Sequence, residues 1–285
     1  MFGKFLENLI SGFESLFKLA GFVESEELLE ERRLLGWQDA FRGRCKSLGH
    51  DGTLKVNNAR VSPRPAIIMV AQTRHAGQSP KKKLVFHEKL VGKSLSTDAL
   101  LKKIKALHTE LAALDQEHVD VASLSTVRKE LVNTSILLHK DRGVKAYAAC
   151  CLADILRLYA PDAPYTQAEL RDIFQFFFRQ LTNGLKGTEA SYYSEYFHLL
   201  ESLSTVKSVV LVCDLPSAED LMSEIFRDLF NLVRRDLPKK IEIFMLDILV
   251  ALIDECQVLP GEVLETLLSQ FTENNTVCRI YIRPS

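Results

Sequence analysis

Glycine and proline are scarce in this sequence, which contains 13 and 9 of them among 285 residues. Sheet-rich folds such as sandwiches and barrels need turn residues at intervals of roughly ten positions. Leucine is abundant instead, and 47% of the residues are hydrophobic. The composition therefore favours an all-helical protein, with enough chain for one or two domains and a substantial core.

An excess of charge of either sign is also missing, because the formal net charge is −1. Proteins that bind nucleic acid directly usually show a basic excess or a basic stripe. No apolar run reaches the length of a membrane span. The sequence thus gives no sign of direct DNA binding or of a membrane-spanning segment.

Residues 1–36 combine apolar side chains at helical spacing with an acidic cluster, so we interpret them as an amphipathic helix and an acidic segment. Glu7 and Glu14 interrupt the apolar centre that a signal peptide needs, and they also argue against a mitochondrial leader. A peripheral membrane helix would usually contain more lysine and arginine. We therefore favour a helix that contacts a partner or has no role of its own.

The six cysteines form no C-x-x-C pair, and four of them lie in apolar helical runs. This pattern is typical of a reduced intracellular protein and not of a disulfide framework. Cys150 lies near His139 in sequence, but its apolar surroundings favour a core position over a nucleophile. The histidines show no metal-ligand spacing; those considered are His87, His108, His118, His139 and His198. Because catalytic and nucleotide-binding motifs are also missing, we predict a non-enzymatic protein without a cofactor or a metal site.

Composition divides the chain into four zones. The amphipathic and acidic zone ends at residue 36. Residues 37–83 lose periodicity and are rich in proline, glycine, serine and arginine, which indicates a disordered linker with a basic tail. Residues 84–271 show sustained helical periodicity, and residues 272–285 lose it again. We therefore predict one helical domain over 84–271, preceded by an irregular extension and followed by an irregular tail.

The helical zone contains about eight helices, most with one apolar face, joined by short turns. Ser96 and Ser125 precede apolar stripes as candidate caps, and Thr166 with Glu169 forms a capping box. Other starts and stops are marked by Pro216, Pro238 and Pro260, and by Gly184 and Gly187. Short turns make neighbouring helices antiparallel, so the pattern predicts an α-solenoid of helix pairs.

Two stretches need a decision between competing patterns. The β-branched sequence VKSVVLVC favours a strand by itself, but its neighbours are helical, so we predict a continuous helix over residues 191–213. The aromatic side chains Phe174, Phe177 and Phe178 recur at helical spacing. Such a stripe is typical of a helix core, and we predict that it is buried.

One motif is sharper than general helicity. Asp141, Val144, Lys145, Ala148 and Leu152 follow the spacing D-x-x-V-K-x-x-A-x-x-x-L, which matches the second helix of a HEAT repeat. The acid would cap the helix, and Val144, Ala148 and Leu152 would line its buried face. The small Ala148 would let the neighbouring helix approach closely. We therefore favour HEAT-like packing of the helix pairs.

The same motif begins a longer run, HKDRGVKAYAACCLADILRLYAPDAPYT, at residues 139–166. This run closely resembles the N-terminal region of the cohesin regulators named for precocious dissociation of sisters. The later stretches LRDIFQFFFRQL, YFHLLESLSTVKSVVLVCDL and LVALIDE also resemble this family, in the same order. The resemblance covers roughly Leu84 to Phe271.

The resemblance implies a nuclear HEAT-repeat scaffold that acts in sister chromatid cohesion by binding. Its implied partners are the kleisin subunit of cohesin and the release factor of the wings-apart-like type, with the SMC ATPase head as a further candidate. Association with chromatin would then run through cohesin. Members of the family are several times longer, and residues 1–68 match nothing in the family, so we expect residues 1–68 and 272–285 to reflect a gene-model or splicing difference.

The stretch APDAPYT, at residues 160–166, has two interpretations. As a turn, it needs only one proline to end a helix and Thr166 to cap the next. As a docking surface, it offers small side chains, one acid and one aromatic on a rigid backbone. The resemblance implies the second role, with Asp162 and Tyr165 making polar contacts and Pro161 and Pro164 holding the shape. The predicted partner-binding residues are Ala160, Pro161, Asp162, Ala163, Pro164, Tyr165 and, within the family-like VKS, Lys207.

Two other functions remain open. A generic helical-repeat adaptor in transport or assembly would have the same fold and no affinity for cohesin. A protein that binds DNA directly would show a steep dependence of affinity on salt, which the near-neutral charge argues against.

Overall fold

The computed structural model describes residues 53–54, 81–92, 95–234, 237–256 and 259–269. The predicted amphipathic helix of residues 1–36, nearly all of the linker and the tail of residues 272–285 lie outside the described residues. The predicted division into four zones therefore stays a prediction.

The described residues form nine α-helices, two 3₁₀ helices and one pair of two-residue strands. The first helices are α1 (Thr97–Ala112), α2 (Ser125–Leu131), α3 (Thr134–Leu137), α4 (Arg142–Tyr159) and α5 (Gln167–Gly184). They are followed by α6 (Tyr193–Val206), α7 (Ala218–Leu232), α8 (Lys239–Glu255) and α9 (Gly261–Ser269). The 3₁₀ helices are Val121–Leu124 and Ser208–Asp214. Strand β1 (Thr53–Leu54) pairs antiparallel with β2 (Leu259–Pro260).

The long helices pack in two rows. In one row α1 contacts α4, α4 contacts α6, and α6 contacts α8; in the other α5 contacts α7, and α7 contacts α9. The two rows meet where α5 contacts α4 and α6. Each helix therefore buries its apolar face mainly against the preceding and following pair, and the predicted all-α solenoid of HEAT-like helix pairs is confirmed.

Side-chain caps fix several helix starts where the sequence predicted them. Ser96 accepts a hydrogen bond from the backbone of Ala99 at the start of α1. Asp141 accepts one from Val144 over 2.9 Å at the start of α4. Thr166 and Glu169 form the complete capping box of α5, which satisfies two backbone N–H groups that would otherwise lack partners.

Two predictions about local structure were wrong. Ser125 does not cap α2; Asp120 caps the preceding 3₁₀ helix instead, and Asn133 caps α3. The continuous helix over residues 191–213 is broken at Lys207, whose φ of 55° is left-handed. A residue in the left-handed conformation ends an α-helix. The β-branched residues that follow Lys207 also disfavour a new α-helix, because they lose side-chain freedom in α-helical geometry.

The break at Lys207 bends the chain by 66° between α6 and the 3₁₀ helix Ser208–Asp214. Within the described part of the chain, no single helix is both long and apolar enough to cross a membrane, and only this bent pair passes by length and composition taken together.

The HEAT motif occupies the positions that its spacing predicts. Val144, Ala148 and Leu152 are fully buried on α4. The aromatic stripe of α5 is core as well, with Phe174, Phe177 and Phe178 at most 2% exposed. Cys150 and Cys151 are likewise buried, so the prediction that Cys150 is a core residue is confirmed.

An extended segment, residues 81–92, covers the start of the solenoid. Its backbone pairs with the turn after α1, since the N–H of Lys82 donates to His118 over 2.7 Å and the N–H of Asp120 donates to Lys82 over 2.9 Å. Leu84 and Leu90 insert into the core with 2% exposure. Apolar surface at the open end of the first helix pair is thereby removed from water.

Gly184, the last residue of α5, provides a test of this packing. A Cβ atom added there would overlap the ring of Tyr196, which is 3% exposed and has no free space to move into. We expect Gly184→Ala to lower the free energy of unfolding by about 1–3 kcal/mol, measured by urea denaturation. The control is Gly187→Ala, because a Cβ atom there meets nothing within 4 Å. Equal stability of the two variants would contradict this account of the α5–α6 contact.

Candidate functional site

The 160–166 segment connects α4 to α5. Ala160 ends α4, and its N–H donates to the carbonyl of Leu156 over 3.0 Å. The N–H of Asp162 donates to the carbonyl of Tyr159 over 3.1 Å, the Ala160–Pro161 bond is cis, and Thr166 begins the capping box. Both ends of the segment are therefore fixed by the helices that it joins.

Side chains from the preceding helix pair hold the segment from beneath. The amide of Gln116 donates to the carbonyl of Ala160, and the guanidinium of Arg128, on α2, donates to the carbonyl of Pro164. Nearby, the hydroxyl of Tyr159 donates to the carbonyl of Val121 over 2.9 Å. A loop whose carbonyls are bound in this way keeps one conformation before any partner arrives.

The segment shows a mixed face to solvent. Pro161 and Asp162 are exposed, whereas Ala163 and Tyr165 are half-buried and pack against the core. Asp162 is thus a charged group that this face presents to solvent. The prolines and alanines around it form a low apolar surface.

Tyr165 is oriented differently from what its predicted role requires. Its hydroxyl is buried and makes no hydrogen bond to any of the described residues. Burial raises the pKa of this hydroxyl well above its usual range, against the opposing charge of Arg128. Its role in partner binding stays a prediction, but the hydroxyl lies beneath the surface and not on it.

Lys207, the remaining predicted residue, lies apart from the segment. It is exposed at the left-handed break between α6 and the 3₁₀ helix Ser208–Asp214. Within the described residues, neither a hydrogen bond nor an ion pair joins its side chain to residues 160–166. The structure therefore brings together six of the seven predicted residues and leaves Lys207 on a different turn.

A cluster that sequence spacing does not reveal forms at the centre of the first row of helices. His108 on α1, Asp154 on α4 and His198 on α6 offer three ligand atoms that all lie within 4.8 Å of one another. Asp154 is buried and also binds Arg157. No local motif joins these residues, because each comes from a different helix, and only the order of helix packing could have indicated them.

A second pair of reactive side chains lies farther along the solenoid. The sulfur atoms of Cys213 and Cys256 are 3.9 Å apart, and the sulfur of Cys256 lies 3.6 Å from that of Met222. The contact with Cys213 lowers the pKa of the Cys256 thiol, while the same contact and burial raise the pKa of Cys213. Both are free thiols in this structure.

The support from beneath the 160–166 segment can be tested with Arg128→Ala. Loss of the guanidinium leaves the carbonyl of Pro164 without this donor, so we expect the Asp162 amide to exchange with solvent about tenfold faster than in the parent protein, as removal of a charged hydrogen bond of about 1.5 kcal/mol implies. Hydrogen exchange followed by mass spectrometry measures this. Lys129→Ala, an exposed neighbour on the same helix, is the control. Unchanged exchange in Arg128→Ala would show that the segment does not depend on this contact.

Comparisons with known proteins agree with this architecture. The chain is 43% identical over 183 residues to the sister chromatid cohesion protein pds5 of Schizosaccharomyces pombe, a match that covers 64% of this chain and 15% of that protein. It is 40% identical over 196 residues to PDS5 of Saccharomyces cerevisiae, covering 68% of this chain and 15% of the relative. The human homolog A is 34% identical over 176 residues, covering 61% of this chain and 13% of the relative.

A solved structure of a Pds5-Scc1 complex is similar in fold, with a TM-score of 0.63 and 39% sequence identity. The match covers 68% of this chain and 29% of the chain in that structure. The model of the sister chromatid cohesion protein PDS5 family matches residues 98–279, past the predicted end of the helical domain at residue 271. This chain therefore belongs to the sister chromatid cohesion protein PDS5 family.

Proposed function

We propose that this chain is a scaffold in cohesin regulation that acts by binding and not by catalysis. The observation that supports this most strongly is the similarity in fold and sequence to the Pds5 chain of the Pds5-Scc1 complex. The chain spans about 15% of the length of the yeast relatives that it matches, so its partners are proposals about this stretch alone.

The first proposed partner is the kleisin subunit of cohesin, of the Scc1 type. The related structure contains this partner, and over the matched region this chain is 39% identical to it in sequence. A solenoid presents long continuous faces along its rows of helices, which suit an extended segment of another chain. Lys207, exposed at the bend after α6, is a candidate contact on such a face.

The second proposed partner is the release factor of the wings-apart-like type, bound at the 160–166 segment. Three observations support a docking role over a simple turn. The segment is held from beneath by Gln116 and Arg128, and Asp162 presents an exposed charge. Ala163 and Tyr165, half-buried and packed against the core, give that exposed charge a firm apolar base.

The proposed mechanism is the joining of two partners on one scaffold. A release factor held at residues 160–166 and a kleisin segment held along the same solenoid would meet at high effective concentration, without any chemical step. The SMC ATPase head is a further proposed neighbour in that assembly. Such a protein would act in the nucleus and would reach chromatin through cohesin. Its net charge of −1 favours this route over direct contact with DNA.

The alternative is a generic helical-repeat adaptor, which would have the same core and no affinity for cohesin subunits. It gives no special role to Asp162 or Pro164. Binding experiments with the two proposed partners separate it from the cohesin scaffold.

The docking segment is tested by the affinity of the full chain for a release-factor peptide. We expect the parent to bind and Asp162→Lys to bind at least tenfold more weakly, about 1.4 kcal/mol, because the exposed charge is reversed. Pro164→Leu should weaken binding as well, since it releases the rigid backbone. Isothermal titration measures both affinities, and circular dichroism checks that each variant is folded.

Glu189→Lys is the matched control for Asp162→Lys, because it reverses an exposed acid in the loop between α5 and α6. It should bind the peptide as the parent does. The docking proposal fails if the parent does not bind the peptide. It also fails if Asp162→Lys and Pro164→Leu are folded and bind the peptide as well as the parent does, because residues 160–166 are then only a turn.

The kleisin proposal is tested by titrating the full chain with a fragment of the Scc1-type subunit. We expect a specific complex that persists at physiological salt, where a DNA-like electrostatic interaction would weaken steeply. Lys207→Glu should reduce the affinity several-fold, whereas Lys186→Glu, an exposed lysine in the α5–α6 loop, should not. A parent chain that fails to bind the fragment contradicts the kleisin proposal; equal binding by both variants removes only Lys207 from the interface.

A further inference from the structure

The cluster of His108, Asp154 and His198 is not needed for the proposed docking functions. We propose that these three side chains bind a divalent transition-metal ion of the zinc type and thereby tie α1, α4 and α6 together. Their ligand atoms come from three helices and lie within 4.8 Å of one another. Imidazole nitrogen and carboxylate oxygen are both common zinc ligands.

The distances are close to those of a bound ion. The Nδ1 atom of His108 lies 3.2 Å from Oδ2 of Asp154. Ligands that bind zinc at about 2.0–2.2 Å in a tetrahedron lie about 3.3–3.6 Å from one another, so the spacing of this pair is close to suitable. The Nε2 atom of His198 is 4.0 Å from the same oxygen, and no two of the three ligand atoms are more than 4.8 Å apart, so His198 has to approach by about 1–1.5 Å. The side chain of His198 is 37% exposed, which leaves its ring room to shift.

One polar atom of the cluster, on His198, lacks a hydrogen bond to the described residues. The Nε2 atom of His198 is buried and has no hydrogen-bond partner among the described residues. A buried polar atom without a partner is uncommon in folded proteins and needs a reason. A metal ion between the two imidazoles and the carboxylate would supply the missing interaction.

Asp154 is held in the orientation that such a site requires. Its side chain is 2% exposed, and its Oδ1 atom accepts hydrogen bonds from Nε and Nη2 of Arg157 over 3.2 and 3.1 Å. Oδ2 therefore remains directed at both histidines. Arg157 is itself fixed by the carbonyls of Leu111 and Leu114, at the end of α1. Neighbours that orient a ligand in this way are typical of metal sites.

The ligand chemistry decides the class of ion. Magnesium and calcium prefer six or more oxygen ligands, whereas two imidazoles and one carboxylate suit zinc and its neighbours. The positive charge of Arg157 opposes a cation here, but Asp154 offsets it. Glu195, whose carboxylate accepts a hydrogen bond from Tyr147 over 2.7 Å, adds a further negative charge beside His108.

Protons would compete with the ion, because a histidine ligand must be neutral. Burial lowers the pKa of His198 below its usual value, although the charge of Asp154 opposes this, and a lowered pKa favours the neutral ring. The charged and titratable groups around the site are Lys105 and His108 on α1, Tyr147, Cys150, Asp154 and Arg157 on α4, and Glu195, His198 and Glu201 on α6.

The test is equilibrium dialysis of the full chain against zinc chloride at pH 7.5, followed by metal analysis. The background variant Cys213→Ser with Cys256→Ser removes the one close thiol pair in the described residues, which could bind zinc independently. In that background we expect His198→Phe to bind one ion fewer per chain, or to bind it at least tenfold more weakly. Phenylalanine keeps a planar ring, and the Nε2 atom that it replaces makes no hydrogen bond to the described residues that its loss could break. Magnesium chloride should not compete.

His118→Ala is the matched control. His118 also binds an aspartate through Nδ1, over 2.7 Å to Asp115, but that pair is exposed and has no third ligand among the described residues. This variant should bind as many ions as the background. A zinc-dependent rise in melting temperature should likewise be lost in His198→Phe and kept in His118→Ala.

Three results would overturn the proposal. They are absence of zinc binding in the background variant, equal stoichiometry and affinity in His198→Phe, and equal loss in His118→Ala. The first two would leave a buried aspartate whose partners are Arg157 and His108, without a metal ion. None of these results depends on a cohesin partner, so the proposed docking function is tested separately.

Discussion

Helix α4 packs between α1 and α6, and both candidate sites depend on this contact. Its buried face combines branched side chains with small ones, including Ala148, Ala149 and Ala153, and these let the flanking helices approach closely. Close-packed interiors tolerate little change in volume. The positions of α1 and α6 relative to α4 are therefore narrowly defined.

The 160–166 segment derives its shape from this arrangement. It begins where α4 ends, and the groups that hold its carbonyls come from the turn after α1 and from α2. Arg157, near the end of α4, also donates to the carbonyl of Leu111 in the last turn of α1 and to that of Leu114 just after it. The loop between one helix pair and the next is thus built on the preceding pair, which explains how two prolines and two alanines present a stable surface without secondary structure of their own.

The same contact places three polar side chains in the middle of an apolar row. Burying the carboxylate of Asp154 without partners would cost free energy of desolvation. Arg157 and His108 contact this carboxylate and offset that cost. Ion pairs at a protein surface are weakened by solvent. In this cluster Asp154 is buried, so its interactions with neighbouring charges are screened much less by water.

The sequence by itself determined the helical class, most helix starts and the core residues. Caps such as Asp141 and Thr166, and stripes such as Val144, Ala148 and Leu152, act within one or two turns, so local pattern is enough to find them. Six of the seven residues predicted to bind a partner lie together simply because they are consecutive, and their role stays a prediction. The sequence did not reveal the break at Lys207, where local pattern favoured a strand and the neighbouring helices a continuous helix, while the structure has a left-handed residue followed by a 3₁₀ helix.

Only the tertiary structure decided which distant side chains meet. His108, Asp154 and His198 belong to three helices, and their convergence follows from how those helices pack, not from any spacing along the chain. The inward direction of the Tyr165 hydroxyl and the support of Pro164 by Arg128 have the same origin. Periodicity shows which face of a helix is buried, but the partner of that face is set by packing between elements that are remote in sequence.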